Sequence, residues 1–464
     1  MIRLLNAYFP TRTLFLGVSE ACLVAIAFVG ATIVRLGAND AAIVLSYEQG
    51  FLKIIVVSAA FVTCMYYFDL YDSSIMNNRR EVLTRMIQVQ GTLCVLLAGL
   101  YFVFPPLGLG RGIFLIGFLL GAAMLFLWRR MFMTLNILPQ FAERILIFGD
   151  GVLAESLKTE MRARPELGMR VVGQVGGLEN SDGKTGLISK EEQVGAILDM
   201  VKVYKPDRII VTFGERRGKL PVYALLYLKS HGVTIEAGDE VYEAVTGKIP
   251  LESLRLGWLL FSPGFSVSRP LVIYKRIASV VLSAVGLFVA LPLMALTALA
   301  IRMDSAGPAI FRQKRLGQNG EIFTLYKFRT MFEGADLDEN HPPAELTDSR
   351  FTRLGRLLRR THLDELPQLV NILRGDMHFV GPRPFVPNQE QACVEKIPYY
   401  SQRWVVKPGA TGWAQVNRGY NATIEENREK LAYDLFYIKN ISVGLDLLIL
   451  FKTAKILILG RGGR

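Results

Sequence analysis

The sequence predicts a chain in three parts: a membrane α-helical bundle, a small parallel α/β domain, and a basic α/β domain held to the membrane by a re-entrant helix. Three observations lead there. Four apolar runs of spanning length fill the first quarter of the chain; the apolar period then changes to that of strands around a glycine-rich turn; and a further apolar run, at about 277–301, contains a proline and has basic residues at both ends. Composition agrees, since 51% of residues are apolar and the mean hydropathy is +0.31, above what a soluble chain requires.

The four runs lie at about 14–35, 51–68, 88–106 and 112–128, each near the roughly 20 residues that a hydrocarbon core demands, so residues 1–140 read as a four-helix transmembrane bundle. The first run is too long for a signal peptide and lacks a small-residue cleavage site, which makes it an anchor. Arg3, Arg12, Arg79, Arg80, Arg85, Arg129 and Arg130 fall on one alternating set of ends, against mainly Arg35 and Arg111 on the other. Both ends of the bundle are therefore expected on the cytoplasmic face. No ionisable residue is read deep in the middle of a run, so the expectation is anchoring rather than transport.

From Arg144 to Ala154, RILIFGDGVLA, a short apolar run meets Gly149-Asp150-Gly151 and then Ala154, the G-x-G-x-x-A form of a dinucleotide-type strand-turn-helix. Further strands are expected at 170–175, 207–213 and 232–236 with helices between, giving a Rossmann-like domain over 143–250. The segment VVGQVGG at 171–177 ends without the acidic residue that would hold a ribose, and no Tyr-x-x-x-Lys dyad occurs between 143 and 250. Two readings stay open: a cofactor site, or a tight turn in a structural or regulatory module.

The apolar run at 277–301 contains Pro292, with Arg269, Lys275 and Arg276 before it and Arg302, Arg312, Lys314 and Arg315 after it. A straight crossing would leave one basic cluster outside, against the charge rule, whereas a bent segment keeps both on one face. Proline can break such a helix when neighbouring groups satisfy the freed carbonyl. An ordinary crossing helix with a proline kink is the other reading.

Beyond it the chain turns basic. In RQKRLGQNGEIFTLYKFRTM, Gly317 and Asn319-Gly320 signal a turn, and Phe323, Leu325, Lys327 and Arg329 share one face of the following strand, so two cations point the same way. On a solvated edge strand that would carry no function. Residues 332–349 read as a mobile loop over a site. Arg350, Arg353, Arg356, Arg359 and Arg360 give a helix one cationic face, directed at headgroups or at a diphosphate.

That helix leads into THLDELPQLVNILRGDMHFVGPRP at 361–384, where Asp364-Glu365 stand beside Pro367. A helix tolerates proline only in its first turn, so one starts near Asp364, with two carboxylates at its positive end, where the dipole lowers a carboxylate pKa. An ionised carboxylate held there is a nucleophile or a metal ligand; a lone Asp in that position is otherwise a helix cap. In Gly381-Pro382-Arg383-Pro384, two prolines fix the backbone on either side of a guanidinium suited to phosphate. The loop KPGATGW at 407–413 carries an aromatic that could stack on a base or sit at the membrane interface, and the apolar stretch 441–459, interrupted by Asp446, Lys452 and Lys455, reads as an amphipathic helix lying on the bilayer. A basic tail, Arg461–Arg464, suits anionic lipid.

Lys and Arg outnumber Asp and Glu by 53 to 41, a net charge of +12 that suits an anionic membrane, a phosphorylated substrate or nucleic acid. The basic residues cluster beside membrane-type segments, which sets nucleic acid aside. Cys22, Cys64, Cys94 and Cys393 have no metal-ligand spacing, so neither a zinc site nor a disulfide is expected.

Five segments, in order, resemble the bacterial sugar transferases, also called monotopic phosphoglycosyl transferases: the basic-flanked helix with its proline, YKFRTM at 326–331, LDELPQL at 363–369, GDMHFVGPRP at 375–384 and KPGATGWAQVN at 407–417. The resemblance covers about residues 270–464, within a catalytic domain expected over 265–464, and the whole chain is similar to the long form that initiates exopolysaccharide and O-antigen assembly. It implies transfer of a sugar 1-phosphate from a nucleotide diphosphosugar, by family expectation a UDP-sugar, to polyprenyl (undecaprenyl) phosphate at the bacterial inner membrane, with the catalytic domain facing the cytoplasm. Asp364 would be the nucleophile, forming an aspartyl phosphosugar; Glu365, with Asp364, would hold Mg2+; Lys327, Arg329, Arg360 and Arg383 would neutralise diphosphate charge; Asp434 would join the network; and Pro292 would make the re-entrant bend, although Leu291-Pro292 stands where the family commonly has Ser-Pro. Rival classes are a nucleotide-sugar-modifying enzyme built on the Rossmann-like domain and a non-catalytic membrane scaffold. A homodimer is admissible, and the sequence does not name the sugar.

Overall fold

The structure is a computed structural model, and it describes residues 1–76, 78–136, 142–175, 190–212, 221–254, 256–265, 268–335, 348–418 and 423–459. The central part of the expected loop (336–347), the basic tail (461–464), residues 176–177 of VVGQVGG and residue 213 at the end of an expected strand lie outside them. The chain divides into two compact units, one of residues 9–241 with Met1 and Ile2, the other of residues 3–8 and 242–464.

The chain opens with two short paired strands, β1 (Ile2–Leu4) and β2 (Ala7–Phe9). In the first unit follow α1 (Thr11–Leu36), α2 (Ala38–Tyr47), α3 (Gly50–Tyr67), the single turn α4 (Ser73–Met76), α5 (Arg79–Val103) and α6 (Arg111–Asn136). α1, α3, α5 and α6 are each long and apolar enough to cross a membrane, and with the helix at 269–304 they make this a membrane protein. Val24, Phe28, Phe61, Leu93 and Leu125 close the bundle core, while Ile26, Ile55, Val95 and Leu127 face outward, as lipid-facing surfaces do. Gly117 lets α6 approach α1, since a methyl there would sit 2.7 Å from the Phe28 ring.

One expectation is corrected in the bundle. Glu20, in the first apolar run, is buried, and Arg129, read as a flanking charge, is buried against it: Arg129 Nε and Nη2 donate to Glu20, Nη1 donates to the Leu70 carbonyl, and Tyr71 Oη donates to Glu20 at 2.7 Å. The pair balances its own charge, so it ties α1 to α6 without an unpaired ion in the bundle.

The α/β part is made of β3 (Glu143–Phe148), α7 (Val152–Ala163), β4 (Met169–Val175), α8 (Lys190–Tyr204), β5 (Arg208–Val211), α9 (Val222–Ser230), β6 (Thr234–Ala237) and α10 (Gly238–Thr246). The sheet is wholly parallel in the order β4-β3-β5-β6, with a helix between each strand and the next along the chain. Gly149 (φ 130°) and Gly151 (φ 92°) turn β3 into α7, and Ala154, fully buried, seats the helix on the sheet. The expected strand-turn-helix is present.

The second unit contains α11 (Leu256–Phe261), α12 (Arg269–Asp304), the antiparallel hairpin β7 (Ile310–Leu316) and β8 (Ile322–Phe328), α13 (Arg353–Thr361), α14 (Gln368–Arg374), β9 (His378–Val380), α15 (Pro387–Lys396), β10 (Gly409–Thr411), α16 (Trp413–Asn417), α17 (Ile424–Lys439) and α18 (Val443–Ile458). α12 is 36 residues long with Pro292 inside it. Both of its ends are attached to one layer. Near the start, Arg276 donates to the carbonyls of Ile372 and Leu373 at 2.9 and 2.8 Å; near the end, Met294, Ala298 and Ile301 pack with Phe328, Leu358, Leu363 and Leu366. Between them Phe288, Val289 and Leu291 are exposed.

Trp413 is neither a base platform nor an interfacial anchor. It is buried, stacked on Phe436 with centroids 5.5 Å apart, and donates to the Gly247 carbonyl, because the extended backbone at Gly412, the N-cap of α16, leads it into the α17 core. α18 buries Leu445 and Ile449 and exposes Leu447, Phe451 and Ile458, the two-sided surface expected of it.

Candidate active site

Three motif segments build one site, and backbone packing explains their residues. β8 carries Lys327. Asn371 pins that strand to α14: its Oδ1 accepts from Tyr326 N at 3.0 Å, and its Nδ2 donates to the Thr324 carbonyl and to Asp376. Gly375, at φ 98°, ends α14 by donating to Asn371 and Ile372 carbonyls, a left-handed cap that glycine adopts without strain. β9 then pairs in parallel with β10, His378 opposite Gly409 and Val380 opposite Thr411. Gly381 and Gly409 touch backbone to backbone, and a methyl on Gly409 would overlap Gly381 N. The motifs at 375–384 and 407–417 are thus two halves of one close strand pair that delivers Arg383.

Asp364 and Glu365 lie in a single 3-10 turn, Leu363–Glu365, and α14 begins only at Gln368, after Pro367. Glu365 Oε1 accepts from Lys327 Nζ at 2.8 Å and from Arg383 Nη2 at 2.9 Å. Burial pushes Glu365 up, yet Lys327 and Arg383, by charge and by hydrogen bond, hold it well below the usual carboxylate range. Asp364 is 5% exposed. Burial raises its pKa, with Glu365 adding to the rise against Lys327, Arg359 and His362. This corrects the expectation that the helix dipole keeps both carboxylates low: Asp364 sits a turn ahead of α14 and is buried, so desolvation wins. Lys327 is lowered by burial, with Glu365 and Asp364 opposing and Arg383 assisting.

The structure places the remaining candidates apart from this cluster. Arg329 falls just past the end of β8, and its guanidinium donates to the Ala306 and Ser305 carbonyls, both at 2.7 Å, so it closes the end of α12; the expectation that it points with Lys327 into one site is corrected. Arg360 is exposed; its neighbour Arg359 is the α13 cation that acts on Asp364 and lies over the Phe351 ring. One position in a helix rotates a side chain by about 100°, which a run of consecutive arginines does not resolve. Asp434 is buried and accepts from Arg403 at 2.8 Å; Arg403, missed in the sequence, also donates to Glu390 and Tyr400. Pro292 lies in α12 among exposed apolar residues.

Among the described residues, no three His, Cys, Asp or Glu side chains gather as a metal cage. Asp364 and Glu365 nevertheless offer adjacent carboxylates, and both bonds to Glu365 end on Oε1. That donor set fits Mg2+, which binds through one or two carboxylates together with substrate phosphates and keeps several waters.

A family model described as bacterial sugar transferase matches residues 271–460, which contain the whole site. The chain is 38% identical over 230 residues to UDP-N-acetylgalactosamine-undecaprenyl-phosphate N-acetylgalactosaminephosphotransferase of Aeromonas hydrophila (48% of this chain, 52% of that one). It is 35% identical over 338 residues to undecaprenyl-phosphate glucose phosphotransferase of Komagataeibacter xylinus (69% and 60%). It is 42% identical over 201 residues to UDP-glucose:undecaprenyl-phosphate glucose-1-phosphate transferase of Caulobacter vibrioides (42% and 74%). The match thus spans between half and two thirds of the first two relatives and three quarters of the third. With the carboxylate turn, its two cations and the glycine-packed strand pair all inside the matched region, the chain belongs to the bacterial sugar transferase family.

Proposed function

We propose that the chain transfers a sugar 1-phosphate from a nucleotide diphosphosugar, a UDP-sugar by the relatives' names, to undecaprenyl phosphate, and so initiates exopolysaccharide or O-antigen type glycan assembly. The observation that carries the reading is the split pair: a buried carboxylate without a hydrogen-bond partner among the described residues, next to one held ionised by Lys327 and Arg383. An Asp364 oxygen attacks the sugar-bearing phosphorus, the bridging P–O bond breaks, and the nucleoside monophosphate leaves with the electron pair. Undecaprenyl phosphate then attacks the aspartyl phosphosugar, releasing Asp364 and giving the lipid diphosphosugar. Lys327 and Arg383 compensate diphosphate charge, which is most of what phosphoryl transfer needs from a protein. Asp364 and Glu365 would hold Mg2+, which would supply further charge neutralisation.

In this reading α12 is re-entrant. Both of its ends are held by one layer that contains the catalytic turn, and the exposed apolar residues around Pro292 dip into the bilayer from the cytoplasmic face of the inner membrane. The parallel order β4-β3-β5-β6 and its glycine turn support the Rossmann-like reading of 143–250 as a structural module. The test is nucleoside monophosphate release by purified full-length protein with Mg2+, across a panel of nucleotide diphosphosugars, with and without undecaprenyl phosphate. Lipid-dependent turnover of one donor is expected; no release from any donor by folded protein overturns the reading.

A further inference from the structure

We infer that Arg403 is a positioning residue for this reaction: its buried guanidinium holds the backbone carbonyl of Arg383 and thereby fixes where the Arg383 side chain acts. The inference rests on the transferase reading above.

Arg383 stands between two prolines, so the loop has few N–H groups with which to bond itself. Its carbonyls take donors from elsewhere in the unit. Pro382 O accepts from Gly409 N at 2.9 Å, Arg383 O from Arg403 Nη2 at 2.9 Å, Pro384 O from Arg315 Nη1 at 3.1 Å, and Phe385 O from Leu316 N at 3.2 Å. Of these four carbonyls, the one on the working residue is held by a buried side chain.

Arg403 is itself over-determined. Nη2 also donates to Asp434 Oδ2 at 2.8 Å, and Nη1 donates to Glu390 Oε1 at 3.2 Å and to Tyr400 Oη at 2.6 Å. Its guanidinium lies over the Phe385 ring, 4.7 Å from the centroid. Arg403, Glu390 and Asp434 are 3%, 1% and 2% exposed. Two carboxylates and a guanidinium removed from water, with Lys430 also acting on Asp434, are a costly way to gain stability, since apolar residues of similar volume commonly do as well. The planar fork of Arg, by contrast, sets several acceptors in fixed relative directions. Asp434 and Glu390 aim the guanidinium, the guanidinium aims the Arg383 carbonyl, and the Arg383 side chain reaches Glu365 at 2.9 Å. Asp434, expected at the substrate, therefore acts through Arg403.

The test uses full-length protein in detergent, with nucleoside monophosphate release from UDP-sugars as readout and thermal melting as the control for folding. Arg403→Lys keeps the charge that its carboxylates require but cannot serve Arg383 O, Asp434 and Glu390 together. It is expected to melt below wild type, because buried acceptors lose their donor, yet to stay folded at the assay temperature and to lose about 10²-fold in kcat, the scale of a small misplacement of a reacting group, with donor KM changed far less. Arg383→Ala loses a similar factor, and the double variant loses no more than the larger single, because one residue acts through the other. If Arg403→Lys fails to fold, the charge-neutral triple variant Arg403→Gln, Glu390→Gln, Asp434→Asn is read in its place, with the same loss expected. Wild-type kcat in a folded variant, or losses that multiply in the double, overturns the inference alone. No release by wild type from any donor overturns both it and the transferase reading.

Discussion

Asp364 and Glu365 are consecutive residues in one turn, yet burial raises the first while Lys327 and Arg383 hold the second down. The two therefore cannot exchange roles. Asp364→Asn is expected to abolish turnover while the protein melts at or above the wild-type temperature, because the amide removes a group whose charged form is penalised by burial; substantial activity in that variant rejects Asp364 as nucleophile. The pH dependence has a definite sign. The proposed nucleophile must be deprotonated, and burial raises the Asp364 pKa, so kcat/KM for donor is expected to rise with pH through that raised value and to fall on the acid side. A profile flat down to the ordinary carboxylate range contradicts it. At this scale the sequence was most legible where a motif is local: Asp364, Glu365, Lys327 and Arg383 each stand in a short segment whose residue types state their chemistry. It was silent on Arg403, whose partners Glu390 and Asp434 lie 13 and 31 residues away, and on the pairing of Glu20 with Arg129 across 109 residues. Neither separation leaves a local pattern.

Among the elements, β9 and β10 do the placing, and their tolerances are backbone tolerances. Gly409 faces Gly381 so closely that a methyl overlaps its nitrogen, and neither strand can yield without moving Arg383. Gly409→Ala is expected to destabilise the protein by about 1–3 kcal/mol, the usual scale for overpacking, and to lower kcat beyond what melting explains; turnover measured well below the melting temperature separates the two effects. β9 is also tied to α12, since His378 Nδ1 and Ser279 Oγ are 3.0 Å apart. Burial lowers the His378 pKa to about 3, with Lys275, Lys407 and Arg276 adding to it. An unfolded His titrates near ~6.5, so the unfolded state binds the proton first. The stability this neutral His confers is complete above that value and is lost as pH falls from there toward 3. Melting temperature against pH is thus expected to fall less steeply over that window in His378→Asn than in wild type, and parallel curves refute the assignment. The proline-bearing helix, the hairpin and the strand-turn-helix at Gly149 could be read from period and turn residues, whereas the 3-10 turn ahead of α14 could not, because Pro367 marks a helix start only to within a few residues.

For the whole molecule, the question the sequence left in two forms was whether the apolar segment at 277–301 crosses the membrane or returns. Composition cannot decide it, since α12 passes every length and hydropathy test for a span. The proposed re-entrant course rests on the attachment of its two ends: Arg276 near one end and Ile301 near the other both pack on the layer that holds Asp364, and a rigid straight crossing would require that layer to follow the helix through the hydrocarbon with its polar loops unsatisfied. The prediction is a labelling pattern in full-length protein whose native cysteines have been replaced. Single cysteines at exposed Ser268 and Met303, flanking the apolar stretch, react with a membrane-impermeant maleimide from the cytoplasmic side alone, and one at Phe288, 82% exposed in the structure yet surrounded by apolar residues, reacts from neither side. Labelling of Ser268→Cys and Met303→Cys from opposite sides makes α12 an ordinary crossing helix; it would also separate the basic clusters at 275–276 and 312–315 by a bilayer, and Lys275 and Arg276 could then no longer hold β9 and α14 beside the carboxylate turn.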